Sequence, residues 1–153
     1  MIPTAKPDLS LPQQYMFLNR NPICTGEGQL WPTKLFWQYK LRATPLSREY
    51  TLRIDYQKGE TPDVRVMNPD IQILATGRDL PHVYRNPLRL CLYLPGSGEW
   101  HARMRLDQTM VPWTATWLFY FEEWLASNEW KGGGEHPGNG MPELNRRVRR
   151  MRR

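Results

Sequence analysis

Two stretches of the chain alternate apolar and polar positions with period two. Leu35, Trp37, Tyr39 and Leu41 interleave with Phe36, Gln38, Lys40 and Arg42. Tyr50, Leu52, Ile54 and Tyr56 interleave with Thr51, Arg53 and Asp55. Both read as half-buried strands, because successive side chains on a strand point to opposite faces. Val64 and Val66 mark a third strand. Pro45 lies in the first connection, Gln57 to Pro62 form the second, and Asn68-Pro69 ends the run. Neighbouring strands with such short connections predict an antiparallel meander.

Helical spacing flanks this meander. Ser10 and Gln13 have the spacing of a capping box and Pro12 suits a first turn, which predicts a short helix from Leu11 to about Asn19. Asn21-Pro22 and the Gly26-Glu27-Gly28 run read as breaks after it. Near the other end, Trp113, Trp117, Phe121, Trp124 and Leu125 fall on one helical face, with Pro112 in the opening turn and an end near Ser127. A row of bulky rings at this spacing reads as a face packed on a sheet rather than as a ligand platform. Residues 70–87 read as mostly irregular. From Leu88 to Leu94 the leucines 88, 90, 92 and 94 point one way if the chain is extended, and Arg89, Cys91 and Tyr93 point the other. The fold class expected from this order is α+β.

Composition alters the picture little. The 153 residues suit one domain with a real core. The 14 prolines favour loops and short elements over a helical bundle. No run reaches the ~18 apolar residues of a membrane span, and Met1 to Ser10 lack a leader-like apolar core, so the cytoplasm is expected. The net charge of +6 belongs to six arginines at 146, 147, 149, 150, 152 and 153; without them the 21 Lys and Arg come down to match the 15 Asp and Glu. Without those six arginines the chain is therefore formally neutral, which speaks against a basic nucleic-acid face on the expected domain, residues 1–142. Residues 143–153 read as a solubilising tail, with non-specific anion binding as the alternative. Gly132-Gly133-Gly134 lacks the strand-loop-helix context of a phosphate loop.

The candidate chemistry rests on two cysteines. Two Cys and three scattered His offer no zinc spacing, so no metal and no cofactor are expected. Free thiols are expected rather than a disulfide. Cys24 lies in a Pro/Gly loop without an orienting anchor and reads as incidental. Cys91 is flanked by leucine anchors and faces away from them. From the residues alone, a lone cysteine beside leucines reads first as an inert core residue.

The wording around Cys91 changes that preference. His82-Val83-Tyr84, Leu90-Cys91-Leu92-Tyr93-Leu94-Pro95, Glu99-Trp100, Pro112-Trp113, Trp117-Leu118, Glu123-Trp124-Leu125, Glu129-Trp130 and the Gly132 to His136 run resemble the conjugating proteins of type II CBASS anti-phage operons, over roughly residues 28–137. The order of elements is similar to that of ubiquitin-conjugating enzymes, whose cysteine lies in an extended segment after the sheet. The resemblance implies that fold, with Cys91 as the nucleophile. It implies a thioester with the C-terminus of a cGAS-like nucleotidyltransferase and transfer of that acyl group to an amine, which primes cyclic-nucleotide signalling. It implies covalent and non-covalent complexes with that nucleotidyltransferase, and it leaves open an activating enzyme as a further partner.

Such chemistry needs a thiolate, which Arg89 would favour, and a donor for the tetrahedral oxyanion. Eukaryotic members of the family use a His-Pro-Asn tripeptide for the oxyanion. Here the place reads His82-Val83-Tyr84, without the Asn. Asn86 is a substitute candidate and His82 a structural hydrogen bonder, and either also fits a local turn role. Glu99, Thr109 and His136 are weaker candidates. His101 reads as a solvated position. Two rivals stand beside this reading: a non-catalytic docking protein of the same fold, and a nucleic-acid-binding module that uses the arginine tail.

Overall fold

A computed structural model describes residues 5–133. The arginine-rich tail, Gly134, Glu135 and His136 lie outside the described residues.

Helix α1 (Leu11–Arg20) opens with the expected reciprocal cap. Ser10 Oγ accepts from the Gln13 amide at 3.2 Å, and Gln13 Oε1 accepts from the Ser10 amide at 2.8 Å. A 3-10 turn (Pro22–Cys24) leads into four antiparallel strands in sequence order: β1 (Gly26–Leu30), β2 (Lys34–Arg42), β3 (Glu49–Gln57) and β4 (Asp63–Asn68). Next come a short helix α2 (Ile71–Ala75), a two-stranded ribbon of β5 (Val83–Tyr84) and β6 (Arg89–Leu90), and the long helix α3 (Leu106–Ser127). The fold is thus α+β, with an N-terminal helix, an antiparallel sheet and a C-terminal helix.

The period-two pattern sets the register. Leu35, Trp37, Tyr39 and Leu41 of β2 stand opposite Tyr56, Ile54, Leu52 and Tyr50 of β3. Except for the half-buried Leu41, these side chains are buried against Leu18 of α1 and Leu106, Met110, Leu118 and Phe121 of α3. The opposite face carries Phe36, Arg53, Asp55 and Arg65. There Arg53 and Arg65 both pair with Asp55 at 3.0 Å, and the Arg53 guanidinium lies over the Phe36 ring.

Two expectations are corrected. The Gly26-Glu27-Gly28 run is not a break but strand β1, paired with β2. A Cβ at Gly28 would stand 2.1 Å from the Phe36 carbonyl oxygen, and one at Gly26 2.0 Å from that of Gln38. Glycine is what lets this edge strand lie so close. Secondly, Pro112 does not open α3. The helix starts six residues earlier, and the proline removes one backbone hydrogen bond inside it. Burial of Leu106, Asp107, Met110 and Val111 holds the turns before it, as does a cap supplied by α1. Buried Gln14 accepts from the Leu106 amide at 2.9 Å and donates to the Met104 carbonyl at 2.7 Å. Residues 70–87 are mostly irregular, as expected, with α2 and β5 set within them.

Asp107, fully buried, receives Arg105 at 2.7 and 3.0 Å and Asn21 at 3.0 Å, which ties the end of α1 to the start of α3. Among the described residues no helix is long and apolar enough to cross a membrane.

Candidate active site around Cys91

The ribbon β5–β6 presents the cysteine. Val83 pairs with Leu90 and Tyr84 with Arg89. The chain leaves the ladder at Leu90, and the next amide, that of Cys91, still donates to the His82 carbonyl at 3.0 Å. That oxygen also accepts from Trp117 Nε1 of α3 at 2.9 Å. Leu90, buried in the core, anchors the strand from one side. The alternation expected through Leu94 therefore stops early: Leu88, Leu92 and Leu94 are only half-buried, as are Cys91 and Tyr93.

His82 is 7% exposed and has φ +51°, a left-handed conformation that costs a non-glycine residue free energy. Its ring stacks on Trp130 with centroids 4.8 Å apart, and Trp130 in turn packs against Trp117 and Tyr120. The segment after α3 thus closes over the base of the ribbon. Asn86, also at positive φ (60°), is exposed at the ribbon tip, in a turn with a cis Asn86-Pro87 bond. The two-residue ladder separates Asn86 from Cys91. The structure brings His82 to the cysteine and leaves Asn86 at the other end.

Tyr84 is the residue that sequence reasoning passed over. Its hydroxyl lies 3.3 Å from Cys91 Sγ. The only other partner of Sγ among the described residues is the Tyr93 carbonyl, at 3.8 Å. The signal lies in the strand pairing. Tyr84 stands opposite Arg89, and Cys91 lies two residues beyond Arg89 on the same face, which makes Tyr84 and Cys91 diagonal neighbours within reach of a long side chain.

The electrostatics run against a spontaneous thiolate. Burial pushes the Cys91 thiol up, the Tyr84 hydroxyl pulls it back in part, and the Glu99 charge raises it further. Arg89 does not supply the expected counter-charge. Its guanidinium turns to Asp63 at 3.7 Å and lies 5.4 Å from the Tyr84 ring. The Tyr84 phenol is itself pushed up, first by burial and then by its bond to Cys91, so it holds its proton at neutral pH.

The other candidates lie elsewhere. The Thr109 hydroxyl donates to the Arg105 carbonyl at 2.8 Å, within the first turn of α3. His101 is half-buried and receives Arg103 Nε at 3.5 Å. Cys24, expected to lack an anchor, is fully buried. Its Sγ donates to the Leu18 carbonyl at 3.5 Å, and its own carbonyl accepts from Trp37 Nε1 at 2.9 Å. Burial raises its thiol to about 11. Cys24 is therefore a core residue, and Cys91 is the thiol that remains open to chemistry. Among the described residues no cluster of His, Cys, Asp and Glu is arranged to hold a metal.

A model of the type II CBASS E2 protein family matches residues 14–137. The chain belongs to that family. The match covers the whole described fold from Gln14 onward and includes the cysteine ribbon, the long helix and Trp130. No curated protein matches the chain. As a CBASS E2 protein, the chain has an E2-like role in that system, and the ribbon that carries Cys91 is where the chemistry of such a role would be sought.

Proposed function

We propose that this CBASS E2 protein is a cysteine-dependent acyltransferase of the ubiquitin-conjugating fold. Cys91 takes the activated C-terminal acyl group of a cGAS-like nucleotidyltransferase as a thioester, displacing its activating group, and hands it to an amine, which displaces the sulfur; this primes the nucleotidyltransferase for anti-phage signalling. Residues 1–142 are the conjugating domain and 143–153 an appended tail. The reaction calls for no metal or cofactor, since thioester exchange and aminolysis need only a nucleophilic sulfur and proton donors. It takes place in the cytoplasm. His82 shapes the site by holding the Cys91 amide, and Asn86 is a candidate contact for the incoming chain.

One observation carries this reading: in a chain of this family, Cys91 is the partly open thiol and has a hydroxyl on its sulfur, while Cys24 is sealed in the core. A second reading, a docking protein of the same fold that does no chemistry, is favoured by the burial that keeps Cys91 a thiol.

Co-expression with the nucleotidyltransferase, followed by non-reducing electrophoresis and intact mass, separates the two. The catalytic reading expects a thiol-sensitive adduct with the wild type, none with Cys91→Ala, and a reductant-resistant ester with Cys91→Ser. An adduct absent from all three, with both proteins intact and bound to each other, would establish the docking reading. Salt-sensitive binding to nucleic acid that disappears on deletion of residues 146–153 would favour the arginine-tail rival.

A further inference from the structure

We infer that Tyr84 is a catalytic residue whose hydroxyl donates a hydrogen bond to the oxyanion and to the departing sulfur during acyl transfer at Cys91. This rests on the reading of Cys91 as the acyl carrier. The oxyanion forms on the carbon bonded to Sγ, so its donor must stand beside Sγ. Two groups meet that sulfur among the described residues, the Tyr84 hydroxyl at 3.3 Å and the Tyr93 carbonyl at 3.8 Å, and only the hydroxyl can donate.

The hydroxyl is held in place by the ribbon. Tyr84 is fixed opposite Arg89 by the β5–β6 pairing, and the Arg89 guanidinium lies near its ring. In the free enzyme the thiol donates to the phenol oxygen. Once the sulfur is acylated that proton is gone, and the phenol O–H is left to donate. Its raised pKa keeps the donor protonated. A preorganised donor of this kind acts more strongly in a half-buried site than in water.

The step balances without a co-reactant. A neutral amine attacks the thioester carbonyl. The C–N bond forms and the carbonyl electron pair moves onto oxygen, where Tyr84 donates to it. The pair returns, the C–S bond breaks, and the electron pair leaves on Sγ as a thiolate, to which Tyr84 then donates. The proton released by the attacking nitrogen passes to water. Tyr84 keeps its own proton throughout.

The test uses the chain alone. Cys91 is acylated to completion by exchange with the acetylglycyl thioester of 2-mercaptoethanesulfonate, and single-turnover discharge to free lysine is followed by intact mass. Iodoacetamide alkylation against pH is measured in parallel, because that displacement passes through no oxyanion. For Tyr84→Phe, discharge is expected to fall about 100-fold. Its alkylation midpoint should move to higher pH, while the alkylation rate at high pH and the melting temperature stay at wild-type values. Slower loading by the same variant also supports the assignment, since the same oxyanion forms on the way in. Discharge at the wild-type rate would overturn it. So would parallel losses in discharge, high-pH alkylation and melting temperature, which mark a structural role. A wild-type protein that alkylates at Cys91 but is never acylated there would instead overturn the carrier reading itself.

Discussion

The backbone amide of Cys91 donates to the carbonyl oxygen of His82 at 3.0 Å, one position beyond the last paired residue of the ribbon. The oxygen is shared with the Trp117 indole, so the long helix holds the cysteine through a single backbone atom.

Trp117→Phe should loosen that hold. The His82 carbonyl keeps one donor and the core keeps a ring, so the expected loss is about 2 kcal/mol in urea unfolding. Amide exchange at Cys91 should speed up more than exchange in β2 or β3. Equal acceleration everywhere would mean that the shared oxygen has no local role.

The pH dependence of Cys91 alkylation should respond in opposite directions to two neighbours. Burial and Glu99 hold the thiol up, so the wild-type midpoint lies above that of an ordinary thiol. Glu99→Gln removes a charge that opposes ionisation and should move the midpoint down, whereas Tyr84→Phe moves it up. An unmoved midpoint in Glu99→Gln would show that its charge is screened.

Alkaline stability should carry the mark of Cys24. Its folded value, about 11, lies above the ordinary 9.0. Below pH 9.0 both folded and unfolded chains hold the thiol proton, and this group contributes nothing to the pH dependence. As pH rises from about 9 to about 11 the unfolded chain releases the proton first, so folding weakens. Cys24→Ala should therefore lose stability less steeply than the wild type across that window, whatever its stability at neutral pH. Identical slopes in thermal melts at successive pH values would contradict this.

Arg105→Ala should cost about 3 kcal/mol, because it leaves the fully buried Asp107 with Asn21 as its one remaining neutral donor. The guanidinium also lies 3.8 Å from the Phe17 ring, so the loss should appear as parting of α1 from α3. Double substitution with Asp107→Asn should recover part of the loss, since the stranded charge is then gone.

The strands Lys34–Arg42 and Glu49–Gln57 are legible in the sequence because one face is buried along all of the second and most of the first, and alternation reports that directly. The Ser10 cap is legible because it depends on residues three apart. Features decided by distant partners are not. Glycines that read as breaks become a strand only when β2 lies against them, and the turns before Pro112 hold only because Gln14, some ninety residues earlier, caps them. Cys24 gains its surroundings from Leu18 and Trp37, which local reading does not join. At the site, the cysteine is legible from its leucine neighbours and its wording. Tyr84 is hidden because it faces Cys91 only once the ribbon pairs in this register.

The ribbon shares no ladder with the four-stranded sheet, so the register of the sheet does not depend on the ribbon's turn. An insertion in the exposed turn 85–87 would shift no strand of the meander, which is already complete at Asn68. The tip that faces solvent can therefore be lengthened while the scaffold stays as it is, and a change of client need not be a change of fold.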